Sequence, residues 1–281
     1  MLLGLAGGKV GDLVFYRDGG EQRTRSRVIP KNPRTPKQMA QRVRIANVAA
    51  MYRLLAPIVR DSFSNRPSNQ SGYNAMASGA IELSPFLTKE MANADAVLPM
   101  PAVIAKGILQ SVDVEANVSG PNLPALVVPS LEAGSSVTMG QVSSALLADY
   151  PALQVGDKIS IVVLGFEEDS SIDFDLDTGA SYIKEIVIDS SDTTPVSSVG
   201  GLEVETKSLL IAGASSIAGG SAVRAVAAIV SRVDGNGSLQ TSFARLVLSE
   251  SAQTLYESYR TDEALSDALK SYTGGSVQLL R

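Results

Sequence analysis

The chain has 281 residues, enough to bury a sizeable core as one large domain or two modest ones. It contains no Cys and no His, which excludes disulfide frameworks, Cys/His zinc sites, thiol catalysis and every catalytic triad that uses histidine. The formal net charge is −5, but residues 1–66 hold 13 Lys and Arg against 4 Asp and Glu, a net charge of +9, and the remainder carries −14. This division indicates a basic surface for an anionic partner beside an acidic body. The alternative is a basic segment that docks on the acidic part of its own or a neighbouring chain.

The segment MLLGLAGGKVG has no basic region ahead of its short apolar run, so it is a poor secretory signal. No later segment approaches an uninterrupted apolar run of membrane-spanning length. We therefore expect a protein that is made and kept in the cytosol, or in a particle assembled there, with no membrane partner.

The stretch GKVGDLVFYRDGGEQRTRSRV predicts a β-hairpin. Val10–Arg17 is strand-like, Asp18-Gly19-Gly20 tolerates the positive φ of a tight turn, and Gln22–Val28 returns. Side chains on a strand alternate between its faces, so three guanidinium groups are predicted to share one face of the return strand. These are the groups of Arg23, Arg25 and Arg27. A face lined with arginines cannot be an ordinary core.

The hairpin is predicted to give way to an extended connector and then a long helix. Three prolines, at positions 30, 33 and 36, prevent further strand pairing. Thr35 is placed to cap a helix, Pro36 fits its first position, and Gln38 would complete a capping box. The helix is expected to run to about Phe63. Asn65, Pro67 and Gly72 then break it, and a short helical piece is expected around Tyr73–Ala80.

This helix is predicted to be amphipathic. One broad arc is apolar and includes Val43, Val48, Met51, Leu55 and Val59, whereas three arginines fall within about 20° of one another on the opposite side. Those three are Arg42, Arg53 and Arg60. They are interpreted either as part of a binding surface or as the ordinary solvated back of a helix.

Together these patterns predict a surface that binds a protein partner or nucleic acid through cationic side chains. The candidate residues are Arg23, Arg25, Arg27, Arg34, Lys37, Arg42, Arg53 and Arg60.

From about Leu83 the chain favours Val, Ile, Ser and Gly, and short strand patterns follow one another. Two helices are predicted among them, at Thr138–Asp149 and Thr261–Tyr272, the first opened by a capping box and the second closed by Gly274-Gly275. The strands are expected at Ile108–Val118, Ala125–Val128, Lys158–Gly165, Tyr182–Ile188, Leu202–Leu210, Ala222–Val233 and Leu239–Leu248.

The predicted fold class is α+β: an N-terminal β-hairpin and long amphipathic helix, followed by a mainly antiparallel β-rich body with two extra helices. The body is expected to be a sandwich, of Ig-like type as one option. We divide the chain into a basic hairpin-plus-helix arm, residues 1–82, and an acidic β-rich body, residues 83–281.

Signals for catalysis or cofactors are weak. The carboxylate run from Glu167 to Asp177 could hold calcium, but its alternation with apolar residues is equally typical of an edge strand with one wet face. The glycines before Lys9 lack the spacing of a phosphate-binding loop, and Val10 stands where that motif needs Ser or Thr. We therefore predict no enzyme, no cofactor and no metal ligand.

The segments GKVGDLVFYRDGG and RSRVIPKNPRTPKQMAQR, with the helix ending near IVRDSF, resemble the opening of an uncharacterised family of Bacteroidetes phage and prophage proteins. The strong part of the resemblance covers about 75 residues, and NPRTPKQ is its most specific piece. The resemblance implies a phage context, and virion structure or assembly more than catalysis.

We therefore expect a non-enzymatic structural or assembly protein of a bacteriophage particle, as a capsid, connector-ring or tail component. It would form a homo-oligomer, contact other virion proteins, and be assembled into the virion in the cytoplasm of the bacterial host. The basic arm would contact neighbouring subunits or packaged DNA. The alternative is a phage accessory protein that binds nucleic acid mainly through phosphate contacts.

Overall fold

The computed structural model describes residues 7–18, 21–29, 35–118, 123–134, 136–166, 181–215 and 223–273. These residues form six α-helices and fourteen β-strands, and every paired strand runs antiparallel to its neighbour. The predicted class, α+β with an N-terminal hairpin, a long helix and a β-rich body, is confirmed.

The chain begins with a three-stranded antiparallel meander in the order β1-β2-β3. Its strands are β1 (Gly8–Val10), β2 (Leu13–Asp18) and β3 (Glu21–Ser26). The single outgoing strand predicted from Val10 to Arg17 is wrong, because the chain turns at Gly11-Asp12. Gly11 has φ +57°, a left-handed conformation that glycine adopts without a steric penalty.

The helices follow the predicted order, with two additional ones. The predicted long helix ends at Val59 instead of Phe63. The two additional helices are the short one after Thr88 and the one after Ser249, and both have weak sequence signals. The helices are α1 (Pro36–Val59), α2 (Gly72–Ala80), α3 (Lys89–Asn93), α4 (Met139–Asp149), α5 (Glu250–Ser258) and α6 (Asp262–Thr273).

The remaining strands build the body. They are β4 (Val103–Ala105), β5 (Val114–Glu115), β6 (Ala125–Val127), β7 (Lys158–Gly165), β8 (Ser181–Val187), β9 (Glu203–Glu205), β10 (Ser208–Leu210), β11 (Arg224–Val233), β12 (Leu239–Thr241), β13 (Ala244–Arg245) and β14 (Val247–Leu248).

A central sheet organises these strands. Its order is β12-β11-β7-β8, with β14 also pairing with β11. A smaller sheet has the order β5-β6-β10-β9, and β4 pairs with β13. Because successive side chains of a strand point to opposite faces, β7 and β11 supply two separate cores.

The first core joins the long helix to one face of the central sheet. Buried α1 side chains share this cluster with alternate residues of β7 and β11. The shared members include Val48, Met51, Leu55 and Val59 from α1, Val162 and Leu164 from β7, and Ala225, Ala227 and Ile229 from β11. The predicted apolar arc of α1 therefore faces the core, as its periodicity indicates.

The second core lies on the opposite face of the central sheet. There α4 and residues of the smaller sheet pack against the other set of alternating side chains. They include Val142 and Leu146 from α4, Leu126 and Leu209 from the smaller sheet, and Ile159, Ile161, Val163, Val226, Ala228 and Val230 from the central sheet. A third, small cluster joins the start of α1 to α6 through Met39, Val43, Phe86, Ala268 and Leu269.

Three predicted strands are corrected by the structure. Leu202–Leu210 is a hairpin, β9 and β10, because Lys207 adopts φ +66° in the turn between them. Leu239–Leu248 is divided into β12, β13 and β14. From Ile108 to Val118, only Val114–Glu115 forms a strand. In contrast, Lys158–Gly165 matches β7 at both ends.

Helix capping supplies a first test. In α4, Thr138 Oγ1 accepts from the Gln141 backbone N–H at 3.3 Å, and the Gln141 side chain accepts from the Thr138 N–H at 3.0 Å. In α1, Thr35 Oγ1 accepts from the Gln38 N–H at 3.4 Å, which is half of the predicted box.

We predict that Thr138→Ala lowers the free energy of unfolding by about 1 kcal/mol. Thr35→Ala should lower it less, because its single capping contact is long. Chemical denaturation of both variants beside the unmodified chain measures the difference. A larger loss for Thr35→Ala would contradict this ranking.

The division into residues 1–82 and 83–281 stays a prediction, and the first core suggests how to test it. A fragment of residues 83–281 would lack the α1 side chains that cover one face of the central sheet. Each large apolar side chain lost from a core costs about 2–5 kcal/mol, against a whole-domain stability of about 5–15 kcal/mol. We therefore expect this fragment to melt without cooperativity.

The matched control begins at residue 30 and so lacks residues 1–29, which include the meander. Because no meander residue belongs to a buried cluster, this control should melt cooperatively near the temperature of the full chain. A cooperative transition of the 83–281 fragment at that same temperature would show that the body needs no support from α1.

Candidate partner-binding interface

The N-terminal meander adds nothing to the cores of its own chain. Among the described residues from 7 to 29, none belongs to any of the three buried hydrophobic clusters. Val14 and Phe15 are half-buried, and the other side chains described there are exposed. A sheet with apolar side chains on one face needs a second layer to bury them. The meander is therefore a candidate binding surface.

One face of the meander is basic. The strand register pairs Lys9 with Val14, Val14 with Arg25, and Tyr16 with Arg23, so these side chains share a face. The Arg25 guanidinium lies over the Tyr16 ring at 5.6 Å from its centroid, and Arg23 approaches Glu21 at 3.6 Å. We call this set, Lys9, Val14, Tyr16, Arg23 and Arg25, the basic face.

The opposite face is apolar. Val10 pairs with Leu13, Leu13 with Ser26, and Phe15 with Thr24. Val10 is 68% exposed and Leu13 48% exposed, although both are large apolar residues. We call this set, Val10, Leu13, Phe15, Thr24 and Ser26, the apolar face; at its end the register adds the exposed Arg17, paired with Gln22. The sequence analysis missed it, although the alternation of Leu13 and Phe15 with Val14 and Tyr16 was a usable signal.

Arg27 does not belong to β3, which ends at Ser26. Its backbone N–H donates to the Asp12 carbonyl at 2.6 Å, and its side chain is exposed. Arg34 lies outside the described residues, so its predicted role stays a prediction.

The cations predicted on the long helix are all exposed: Lys37, Arg42, Arg53 and Arg60. Arg53 is engaged within the chain, because its guanidinium contacts the Asp95 carboxylate at 2.7 Å. The Arg60 carbonyl accepts from the Arg66 guanidinium at 2.6 Å. Since salt bridges between exposed groups contribute only about 0–1 kcal/mol, the Arg53 contact does not preclude exchange for another anion.

A groove of about 830 Å³ lies between the end of α1 and the central sheet. Its most buried charge is Asp157, which is 1% exposed. The Arg232 guanidinium donates to both Asp157 carboxylate oxygens, at 2.5 and 2.7 Å, and the Gln154 backbone N–H donates to one of them at 2.8 Å. The hydrogen bonds to Asp157 raise the pKa of Arg232.

Because its carboxylate oxygens accept these hydrogen bonds, Asp157 holds the loop before β7 against β11. The charges of Lys158 and Glu185 at the same groove are likewise paired with each other. The groove thus presents compensated charges beside apolar side chains such as Ile58 and Leu239.

Within the described ranges, no group of three or more acidic side chains is arranged to hold a metal ion. The carboxylate run from Glu167 to Asp177 lies outside those ranges, and the calcium alternative stays open there. No described helix has both the length and the apolar character needed to cross a bilayer.

The role assigned to Asp157 can be tested by removing its partner. We predict that Arg232→Ala lowers the free energy of unfolding by about 3–5 kcal/mol, because it leaves a buried carboxylate without its counter-charge. The control is Lys158→Ala, which breaks the exposed neighbouring pair and should cost under about 1 kcal/mol. Equal losses for both variants, measured by chemical denaturation, would contradict a structural role for the buried pair.

Comparison with known proteins found no match to any family model, to any curated protein or to any solved structure.

Proposed function

We propose that this protein is a non-enzymatic structural or assembly component of a bacteriophage particle, in which the meander and its flanking cations contact neighbouring subunits. The observation that carries the proposal is the meander itself. It is a formed sheet with strands of three to six residues, yet no described residue from 7 to 29 belongs to a core of its chain. Such an element leaves a face for a partner to bury.

The phage context comes from the resemblance of the first 75 or so residues, with NPRTPKQ as its most specific part. The architecture is compatible with this role, because a body with two packed cores provides a rigid platform from which a short sheet can reach a neighbour. A protein present in many copies in a particle is held by contacts between neighbouring subunits. Because symmetry repeats each contact at every subunit, a weak contact adds substantially to the stability of the assembly.

A second candidate function is nucleic-acid binding, and the basic face favours it. Lys9, Arg23 and Arg25 lie on one surface with Tyr16, a combination that can contact phosphates and stack on a base. In a particle, the same face would line a surface that meets packaged DNA. As an isolated accessory protein, the chain would bind DNA with steep salt dependence.

Charge reversal separates these possibilities. We predict that Arg23→Glu, Arg25→Glu and Arg27→Glu together leave the melting temperature of the isolated chain nearly unchanged, because these side chains are exposed and outside every core. Assembly should be lost, since several interface contacts fail at once. The comparison set is Arg42→Glu, Arg53→Glu and Arg60→Glu, which additionally breaks the contact with Asp95.

The measurement is particle size by light scattering, at low and high salt, with and without duplex DNA. The structural proposal is supported if the chain assembles without DNA and only the triple substitution at Arg23, Arg25 and Arg27 abolishes that assembly. Persistent assembly with a selective loss of DNA retention places the basic face toward nucleic acid. A monomer under all conditions, with steeply salt-dependent DNA binding, overturns the structural proposal in favour of the accessory protein.

A further inference from the structure

We propose that the outer edge of β3 pairs with residues 172–178 of a neighbouring copy of this chain, which add a fourth strand to the meander. The inference rests on the proposed function, because it names the segment that the meander contacts in the next subunit. Residues 172–178 lie outside the described part of the chain, and their sequence is Ile-Asp-Phe-Asp-Leu-Asp-Thr.

β3 is the end strand of the meander, and among the described residues it pairs with β2 alone. The Arg27 backbone N–H donates to the Asp12 carbonyl, so the backbone groups at this position point toward β2. Because the direction alternates along an antiparallel strand, the N–H and C=O groups of Gln22, Thr24 and Ser26 point outward. An outward row of this kind is where an extended segment adds to a sheet.

Cationic side chains alternate along this edge, at Arg23, Arg25 and Arg27. A second copy of β3 would place arginine opposite arginine, which destabilises a strand pair. The complementary pattern, three acidic residues at alternate positions, occurs once in the chain, as does the basic pattern. The acidic residues are Asp173, Asp175 and Asp177. The contact of Arg23 with Glu21 joins two exposed groups and is weak enough to be exchanged for one of them.

An antiparallel register brings the two patterns together. With Arg25 opposite Asp175, every arginine–aspartate pair occupies a non-hydrogen-bonded position, where Cα atoms are about 4.5 Å apart and side chains approach most closely. Val28, which is 74% exposed, then lies opposite Ile172, whereas the parallel register would place it opposite Thr178. The full set of pairs is Gln22–Thr178, Arg23–Asp177, Thr24–Leu176, Arg25–Asp175, Ser26–Phe174, Arg27–Asp173 and Val28–Ile172.

The remaining side chains of the added strand suit the apolar face. In this register Phe174 and Leu176 extend the rows that begin with Leu13 and Phe15. The exposed Arg17 stands at the far end of that face, so these apolar side chains do not cover it. One register therefore brings carboxylates to the basic face and apolar side chains to the apolar face.

Charge exchange between the two segments tests the pairing. The first variant carries Arg23→Glu, Arg25→Glu and Arg27→Glu, and the second carries Asp173→Arg, Asp175→Arg and Asp177→Arg. Each variant alone places like charges opposite one another, and its assembled fraction should fall about tenfold or more. A one-to-one mixture should assemble again, because β3 of the first variant then meets the basic segment of the second, and the reverse pairing is that of the unmodified chain.

The matched control carries Glu167→Arg, Glu168→Arg and Asp169→Arg, which change the net charge by the same amount at consecutive positions. It should assemble like the unmodified chain. A chain that carries both exchanged sets should assemble as well, since its segments remain complementary. The melting temperature of each variant is recorded, and the mixture is an internal test of folding, because only folded chains regain assembly.

Light scattering without DNA is measured on every sample. Assembly of the second variant alone, or a loss no greater than that of the control, overturns the strand pairing and leaves the structural function standing. Failure of both the mixture and the doubly exchanged chain to recover does the same. Recovery in the doubly exchanged chain but not in the mixture shows that the segment pairs within its own chain, which also overturns the proposal.

Two further outcomes bear on the proposed function. One-to-one heterodimers in the mixture, beside an unmodified chain that never exceeds a dimer, support the strand pairing and overturn the particle function. Absence of association in every sample overturns both.

Discussion

The ladder between β7 and β11 is the interaction on which the rest of the body depends. It pairs eight residues of each strand, from Arg224 with Gly165 to Ser231 with Lys158. Its alternate side chains enter two different cores, so both the α1 side and the α4 side are organised by one register. A slip of one residue would exchange the two sets of side chains. The small residues Ala225, Ala227 and Ala228 would then face the wrong partners.

The position of α1 against this ladder determines what the N-terminal segment can do. The helix is held by its apolar side chains and by Asn47, whose side-chain amide donates to the Leu98 carbonyl at 3.2 Å and accepts from the Leu98 N–H at 2.8 Å. This clamp fixes the rotation of α1 about its axis. Its cations, Arg42, Arg53 and Arg60, are consequently directed outward.

The meander that precedes α1 complements this arrangement. Within the described part of the chain, no core covers its apolar face, and its basic face continues the positive charge of the N-terminal quarter. The proposed function arises from this combination of an anchored helix and an unburied sheet.

Sequence patterns predicted the elements whose signals are local. The apolar run in Lys158–Gly165 predicted both ends of β7 correctly, and the Thr138 capping box predicted the start of α4. The arginine alternation placed Arg23 and Arg25 on one face, because strand periodicity is a local property.

Features set by distant contacts were not predictable in this way. β4 exists because it pairs with β13 near the far end of the chain, and the break after β12 follows from Ser242, whose hydroxyl accepts from the Val230 N–H at 3.0 Å. Lys207 adopts a left-handed turn conformation for which its residue type carries no signal. Among the described residues no core covers the apolar face, and this too depends on tertiary packing that a local pattern does not reveal.

The connectivity of the meander also bears on the order of events during synthesis. Its strands pair in chain order, and such local hairpins form in about 1–10 μs. The body, in contrast, is closed by contacts such as that between the Ser64 and Thr241 hydroxyls, 177 residues apart. At about 5–20 residues per second, the ribosome needs on the order of ten seconds or more to supply the second partner. During that interval the meander is a complete sheet on an incomplete protein. Its apolar face is then the first finished surface that a nascent chain offers to chains growing on neighbouring ribosomes.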